Sequence, residues 1–454
     1  MTWFNNLSPA MKYTLGAIVA VLFVALAFGL ELITGPGPMS FAGGTRVALA
    51  DYHGANPTGV PAELANAGVV ARGEYLARAA DCAACHTAKG GAPYAGGLAI
   101  NLPFGTIYSP NITPDKDTGI GNWTDAEFLN AVHRGIDDEG HRLYPAMPYA
   151  SYTYMTDADA LAIKAYLFSL APVHAPNKES ALSFPFNQRW LMAFWDMFFN
   201  PDERFAPNTA RSAEWNRGAY LSEAMAHCGE CHTPRNLAFA LDNRSKFGGA
   251  VTAGWRAYNI SSDKGTGVGA WSDGALADYL AHGHAMDHGT ASGPMGEAVN
   301  DSFRYLVPSD IKAIVAYLRT VPAIRSKEPA TLAGPAPATH REPPGLDERG
   351  KMLFAGNCMS CHGWTGKSPI WNAATLTGVR AVNDPSAVNV AQVVIEGARH
   401  QLPDGTTVFM PAFGASFSDE EVAAVANYVT GRFGSAKSSL TAKDVASLRR
   451  QASR

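Results

Sequence analysis

The sequence predicts a mainly α-helical chain, with one N-terminal membrane-spanning helix followed by three compact helical units. Three observations predict it. Residues 14–30 (TLGAIVAVLFVALAFGL) carry no charge and almost nothing polar. A helical lead-in that ends in Cys-x-x-Cys-His occurs three times. A second amphipathic helix follows each of these lead-ins further along the chain. The chain has 454 residues, enough for about three ordinary domains. Its net charge of −4 offers no basic footprint, so nucleic acid is not an expected partner.

The apolar stretch comes first. With Tyr13 and residues 31–33 it would form a helix of about 21 residues, long enough for a ~30 Å hydrocarbon core. Lys12 precedes it and no basic residue follows until Arg46. By the positive-inside rule the N-terminus is cytoplasmic and the rest is exported. The expected location is the cell inner membrane, with a single N-terminal anchor and the helical units on the periplasmic side. The alternative is a cleaved leader. Its best small-residue site, Ala48-Leu49-Ala50, would make a leader of about 50 residues against the usual ~15–30, so the uncleaved anchor is favoured.

The repeat sets the organisation. The lead-ins are RGEYLARAADCAACH from Arg72, RGAYLSEAMAHCGECH from Arg217 and RGKMLFAGNCMSCH from Arg349. Glycine costs a helix about 1 kcal/mol. Its recurrence at Gly73, Gly218 and Gly350 therefore predicts a place where another helix crosses closely. The partner helices are TDADALAIKAYLFSL from Thr156, PSDIKAIVAYLRTV from Pro308 and SDEEVAAVANYVTG from Ser418. Each opens with a capping residue and an acid, and each carries a tyrosine at one equivalent place: Tyr166, Tyr317 and Tyr428. The first two units share an insert, NITPDKDTGIGNWTD from Asn111 and NISSDKGTGVGAWSD from Asn259, which the third lacks. The chain thus reads as a duplicated larger unit plus a smaller relative. The expected divisions are 1–34 (cytoplasmic stub and anchor), 35–70 (periplasmic lead-in), 71–175 (first unit) and 176–215 (aromatic-rich segment). They continue with 216–325 (second unit), 326–345 (Pro/Ala-rich, semi-extended linker), 346–436 (third unit) and 437–454 (tail). The aromatic segment between the first two units either packs between them or forms a docking face.

All six cysteines fall in the three motifs, as Cys82/Cys85, Cys228/Cys231 and Cys358/Cys361, so none remains for a structural disulfide or a nucleophile. Cys-x-x-Cys-His is the attachment pattern of c-type haem. Spacing on one helical turn puts both sulfurs on one side for thioether bonds to the haem, and the adjacent histidine reaches the iron. Three covalently bound haem c groups follow, with His86, His232 and His362 as axial ligands. A redox dithiol would not need the histidine. Zinc would have to recruit ligands from units more than a hundred residues apart.

Each iron then needs a sixth ligand. Methionine raises the reduction potential and closes the iron to substrate. Met147 in YPAMPY, Met295 in SGPMGEA and Met410 in VFMPAF lie 61, 63 and 48 residues after their histidines, in comparable loops. Met155 and Met286 match less well between units, and HGHAMDH (282–288) offers a histidine alternative. Arg235 in CHTPR either pairs a haem propionate or is an ordinary surface arginine. Trp123 and Trp271 occupy equivalent GxGxW places, against a haem edge or in plain core. No nucleophile–base pair, phosphate loop or dinucleotide motif is present, so no catalytic residue is assigned.

The runs YAGGLAINLPFGTIYSPNITPD (94–115), HRLYPAMPY (141–149) and HCGECHTPR (227–235) resemble the three-haem cytochrome c subunit of the membrane-bound dehydrogenases of acetic acid bacteria and their relatives. The likeness runs from about Ala71 to the tail LTAKDVASLR (440–449). It implies three class I cytochrome c-like domains in a subunit that carries electrons without catalysing. The implied partners are a catalytic dehydrogenase subunit, ubiquinone and the membrane. Catalytic partners in that family are quinoprotein, flavoprotein, or molybdopterin with an iron–sulfur subunit. YNISSDKGTGVGAWSD, SGPMGEAV and VPAIRS are most similar to the molybdopterin aldehyde dehydrogenase type, which is the favoured partner. The anchor is a departure, since the alcohol dehydrogenase type usually has a cleaved leader. Rival classes are a terminal oxidase cytochrome subunit, a haem peroxidase and a free electron shuttle.

Overall fold

A computed structural model of the chain describes residues 8–326, 345–401 and 405–452. Most of the expected Pro/Ala-rich linker lies outside the described residues. The rest is mainly helical, with a few short antiparallel hairpins.

The N-terminal expectation is corrected. A helix does form over Pro9–Thr34, with Ser8 capping Met11 N–H, yet among the described residues no helix is long and apolar enough to cross a membrane. The physical reason lies in its polar ends. Between Thr14 and Glu31 the uninterrupted apolar run is 16 residues, about 24 Å of helix against a ~30 Å core. The longer span counted above had to include Glu31. The single anchor and the inner-membrane, periplasmic placement drawn from it are therefore withdrawn.

The repeated lead-ins fold as helices Val69–Ala79, Ala213–Tyr220 and Glu348–Asn357. Each packs against its expected partner, Asp157–Ser169, Pro308–Leu318 or Asp419–Phe433. The recurring glycine is where they cross. A Cβ at Gly73 would stand 1.8 Å from the Ala162 carbonyl oxygen, at Gly218 1.9 Å from that of Ala313, and at Gly350 2.1 Å from that of Ala424. The equivalent tyrosines border the same spot, with Tyr166, Tyr317 and Tyr428 Cβ within 2.9 Å of the missing methyl. Only hydrogen lets the two backbones approach so closely.

The second lead-in is one residue longer between its Arg-Gly and its first cysteine than the first. The extra residue is absorbed as a π-helical turn, Leu221–Met225, rather than by shifting the motif. The partner helices start as their sequences suggest in two cases. Thr156 caps Asp159 N–H, and Ser418 with Glu421 forms a capping box. The middle one instead starts on Pro308 with no side-chain cap, because proline at the first position has no N–H to satisfy.

The shared insert also has a structural cause. Buried Asn111 accepts from Thr113 N–H (2.9 Å) and donates to Val173 O (2.8 Å). Asn259 does the same with Ser261 N–H (2.8 Å) and Ile324 O (2.6 Å). Asp115 and Asp263 then close the following turns onto Thr118 and Thr266. These asparagines tie the insert to the chain that leaves the closing helix.

Two hydrophobic cores result. One runs from Met39 to Val321 and is common to the first two repeats, while the other runs from Phe354 to Leu448. The first two repeats also exchange side chains reciprocally. Tyr75 donates to Asp310 (2.6 Å), and its counterpart Tyr220 donates to Asp159. Asp310 is further clasped by both arms of Arg217, at 2.8 and 2.7 Å. In the aromatic segment, Trp195 donates to Ala238 O and Asp196 turns inward to Tyr149 and Arg142. Trp190, Phe194 and Met197 stay exposed, so the segment both packs between the repeats and presents an apolar face.

Candidate haem-attachment sites

The chain enters the first two motifs through a left-handed residue, Asp81 (φ 54°) and His227 (φ 38°), each directly before a first cysteine. Aspartate and histidine tolerate that conformation better than most residues. The turn redirects the lead-in so that the motif forms its own short helix, Cys82–His86 or Gly229–His232. The third motif follows its lead-in more directly, with Met359–His362 as the corresponding turn.

Each motif histidine is held by the same device. Its Nδ1 faces a backbone carbonyl: Pro110 for His86 (2.8 Å), Tyr258 for His232 (2.6 Å) and Ala374 for His362 (2.6 Å). A carbonyl can only accept, so Nδ1 carries the hydrogen and Nε2 is the nitrogen left with a lone pair. Metal-bound histidines are oriented in this way. Pro110 and Tyr258 each directly precede the insert asparagine, which is how the insert fixes the carbonyl. Burial pushes the pKa of all three imidazoles down and so favours the neutral, ligating form.

Burial also pushes the first thiol of each pair up, Cys82 and Cys228 to about 12 and Cys358 to about 11. No disulfide joins the cysteines. Such thiols are poor thiolates, which argues against a redox dithiol. Among the described residues no three His, Cys, Asp or Glu side chains converge as a metal-holding group.

One continuous cavity of about 3060 Å³ is lined by all twelve expected site residues: Cys82, Cys85, His86, Met147, Cys228, Cys231, His232, Met295, Cys358, Cys361, His362 and Met410. An ordinary small-molecule site occupies roughly 300–1,000 Å³, so several cofactors would fit. Paired thiols, a neutral oriented imidazole and an apolar wall fit covalent haem c. The three methionines are half-buried. Met295 sits on the short helix Gly293–Glu297 and Met410 ends the strand Thr407–Met410, so neither is in a plain loop. Of the weaker candidates, Met286 is exposed and off the cavity, while Met155 is buried in the core at its wall. Within HGHAMDH only His288 lines the cavity, stacked 3.9 Å from Trp271. Trp123 and Trp271 also line it. Arg235 lines it too, but its guanidinium is held by Glu230 (2.5 Å) and by the Phe239 carbonyl.

Sequence reasoning missed the carbonyl partners, although the repeat of residue-before-asparagine would have found two of them. It also missed His400, buried on the cavity wall, and Arg380 and Asp384, which reach from the third repeat into the second.

Two family models match the chain. The one described as Cytochrome c covers residues 70–171, and the one described as Cytochrome C oxidase, cbb3-type, subunit III covers residues 345–429. Among similar proteins, the gluconate 2-dehydrogenase cytochrome c subunit of Pantoea cypripedii is 38% identical, over 91% of this chain and 93% of that one. The fructose dehydrogenase cytochrome subunit of Gluconobacter japonicus is 38% identical over 87% and 85%. The alcohol dehydrogenase (quinone) cytochrome c subunit of Gluconacetobacter polyoxogenes is 36% identical over 85% of each.

Proposed function

The chain belongs to the family of cytochrome c subunits of dehydrogenases, and from that premise we propose that it carries three haems and passes electrons from a catalytic dehydrogenase subunit to ubiquinone. It is an electron-transfer component rather than a catalyst. Covalent haem c is implied by the cytochrome c relationship. The haem-bearing units are residues 71–175, 216–325 and 346–436. Cys82/Cys85, Cys228/Cys231 and Cys358/Cys361 hold the porphyrins. His86 with Met147, His232 with Met295 and His362 with Met410 ligate the irons.

Bound haem supplies one-electron exchange at iron, and the polypeptide supplies position and environment. The carbonyls of Pro110, Tyr258 and Ala374 keep each histidine oriented and basic. The methionines favour the reduced state and exclude exogenous ligands, which is what a carrier needs and a peroxidase does not. The largely apolar cavity wall would lower the polarity around bound haem.

The observation that carries this reading is the threefold recurrence of one arrangement, a motif histidine tied through Nδ1 to a carbonyl beside one cavity. The favoured catalytic partner is an aldehyde dehydrogenase with molybdopterin and an iron–sulfur subunit, on the local likeness of residues 258–273. A quinoprotein or flavoprotein partner gives the same role, and a quinone acceptor accords with the similarity to the alcohol dehydrogenase (quinone) cytochrome c subunit. The match of residues 345–429 to an oxidase family favours a terminal oxidase subunit as the second reading. Against it, the relatives spanning most of the chain are dehydrogenase subunits. Purification of the native complex tests all of this. Pyridine haemochrome analysis should give three c haems per chain, and the copurifying large subunit should contain molybdopterin, flavin or pyrroloquinoline quinone. Two haems, or a copper oxidase as the partner, would overturn the proposal.

A further inference from the structure

The carbonyl that holds His232 belongs to a residue gripped from outside its own repeat. Tyr258 points its hydroxyl at Asp384 of the third repeat, 3.1 Å away. The Arg380 guanidinium carbon lies 4.4 Å from the centroid of the same ring. Arg380 also donates to the carbonyls of Asn259 (3.3 Å) and Thr266, at the two ends of the insert turn. Asp384 is buried and held in turn by Arg256, at 3.4 Å. The third repeat is seated firmly enough to act as a support. Asn389 exchanges two hydrogen bonds with the backbone of Arg256 (2.8 and 3.0 Å), and Gln392 donates to Gly254 O (3.1 Å). In the first repeat the carbonyl is that of Pro110, whose ring offers no hydroxyl, and the same peptide is held instead through Asn111 N–H, which donates to Asn177 Oδ1 at 2.7 Å.

We propose that Tyr258, Asp384 and Arg380 form a clamp between the third and second repeats that sets the donor strength of His232, so that seating of the third repeat tunes the reduction potential of the second haem. This rests on the reading of His232 as an axial ligand. A hydrogen bond from Nδ1–H to a fixed carbonyl makes Nε2 a stronger donor and stabilises oxidised iron. If the Tyr258 ring is released, its peptide is free to turn, the bond weakens, and the potential rises. The three are positioning residues, since they act through the carbonyl and His232.

The test uses full-length protein carrying its haems. Tyr258→Phe removes one hydroxyl and no charge. Spectroelectrochemical titration should show one of the three potentials raised, by a three- to tenfold change in that haem's reduced-to-oxidised ratio at fixed potential, tenfold being 59 mV for one electron. One of the three low-spin ferric signals in electron paramagnetic resonance should move with it. Asp384→Ala should reproduce the shift, and Asp384→Asn, which keeps an acceptor, should largely restore the original value. If Tyr258→Phe loses haem, Arg380→Lys reads the same potential with the charge retained and the planar stack lost. The clamp is refuted if variants with a full haem complement keep all three potentials, or if all three move together. Fewer than three haems in the unmodified protein would instead refute the ligand reading beneath it.

Discussion

The helix Glu348–Asn357 contains two glycines that should respond oppositely to the same substitution. At Gly350 an added methyl would meet the Ala424 carbonyl oxygen at 2.1 Å, its carbon at 2.7 Å and Tyr428 Cβ at 2.7 Å. Ordinary contact begins near 3.4 Å, so the helices must separate by more than an ångström. The obstacle is helix backbone, which cannot rotate aside as a side chain can. Overpacking costs about 1–3 kcal/mol or more, and this clash belongs at the upper end. Alanine's better helix propensity returns about 1 kcal/mol. Gly350→Ala should therefore destabilise by about 2 kcal/mol net, roughly a 30-fold change in an opening equilibrium. Gly356 has nothing within 4 Å of its would-be Cβ. Gly356→Ala should be neutral or stabilising by up to about 1 kcal/mol. Native-state hydrogen exchange in the helix Asp419–Phe433 reads the difference locally, in the haem-loaded protein. Equal protection in the two variants, or slower exchange in Gly350→Ala, would refute the close-crossing argument.

Other expectations follow from particular side chains. Met147→Ala, Met295→Ala and Met410→Ala should each remove about a third of the near-infrared sulfur-to-iron absorption and lower one potential, while Met286→Ala leaves the band whole; any of the three that leaves it whole is not a ligand. Asp310→Ala takes the carboxylate from the Arg217 guanidinium in the joint between the first two repeats, leaving it the neutral carbonyls of Pro57 and Gly59, and should cost about 3–5 kcal/mol by denaturant titration. A loss below about 1 kcal/mol would mean that Arg217 finds water or another partner. His133 is 1% exposed, and burial lowers its pKa from 6.5 to about 4. The unfolded chain takes up that proton below 6.5 and the folded one refuses it until about 4. Stability is therefore complete above 6.5 and falls between those values, by up to about 3 kcal/mol. His133→Gln should flatten this part of the pH profile of urea midpoints, and an unchanged profile would show that another group titrates.

Much of the site was legible because it is local and repeated. Two cysteines and a histidine on one turn need no tertiary partner to be recognised, and three copies exclude accident. The glycines were legible because an unfavourable residue recurring at one helical place implies a close neighbour. The methionine candidates were picked by their place in the repeat, and all three line the cavity, although two of them sit on short regular elements. What escaped was set by distant chain. Tyr75 meets Asp310 and Tyr220 meets Asp159 across the joint of two repeats. In the sequence those aspartates look like ordinary first-turn acids of amphipathic helices. The N-terminal stretch misled because its composition is apolar while its uninterrupted apolar length is limited by Thr14 and Glu31.

By itself the sequence determined the helical class, the repeated units, the attachment chemistry and the candidate ligands. These depend on spacing along a few turns of chain, which covalent geometry dictates. Only the tertiary structure decided that the first two repeats share one core, which carbonyl orients each histidine, and that the third repeat braces the loop behind His232. Those contacts join residues tens to hundreds of positions apart, and their partners are chosen by how the helices pack.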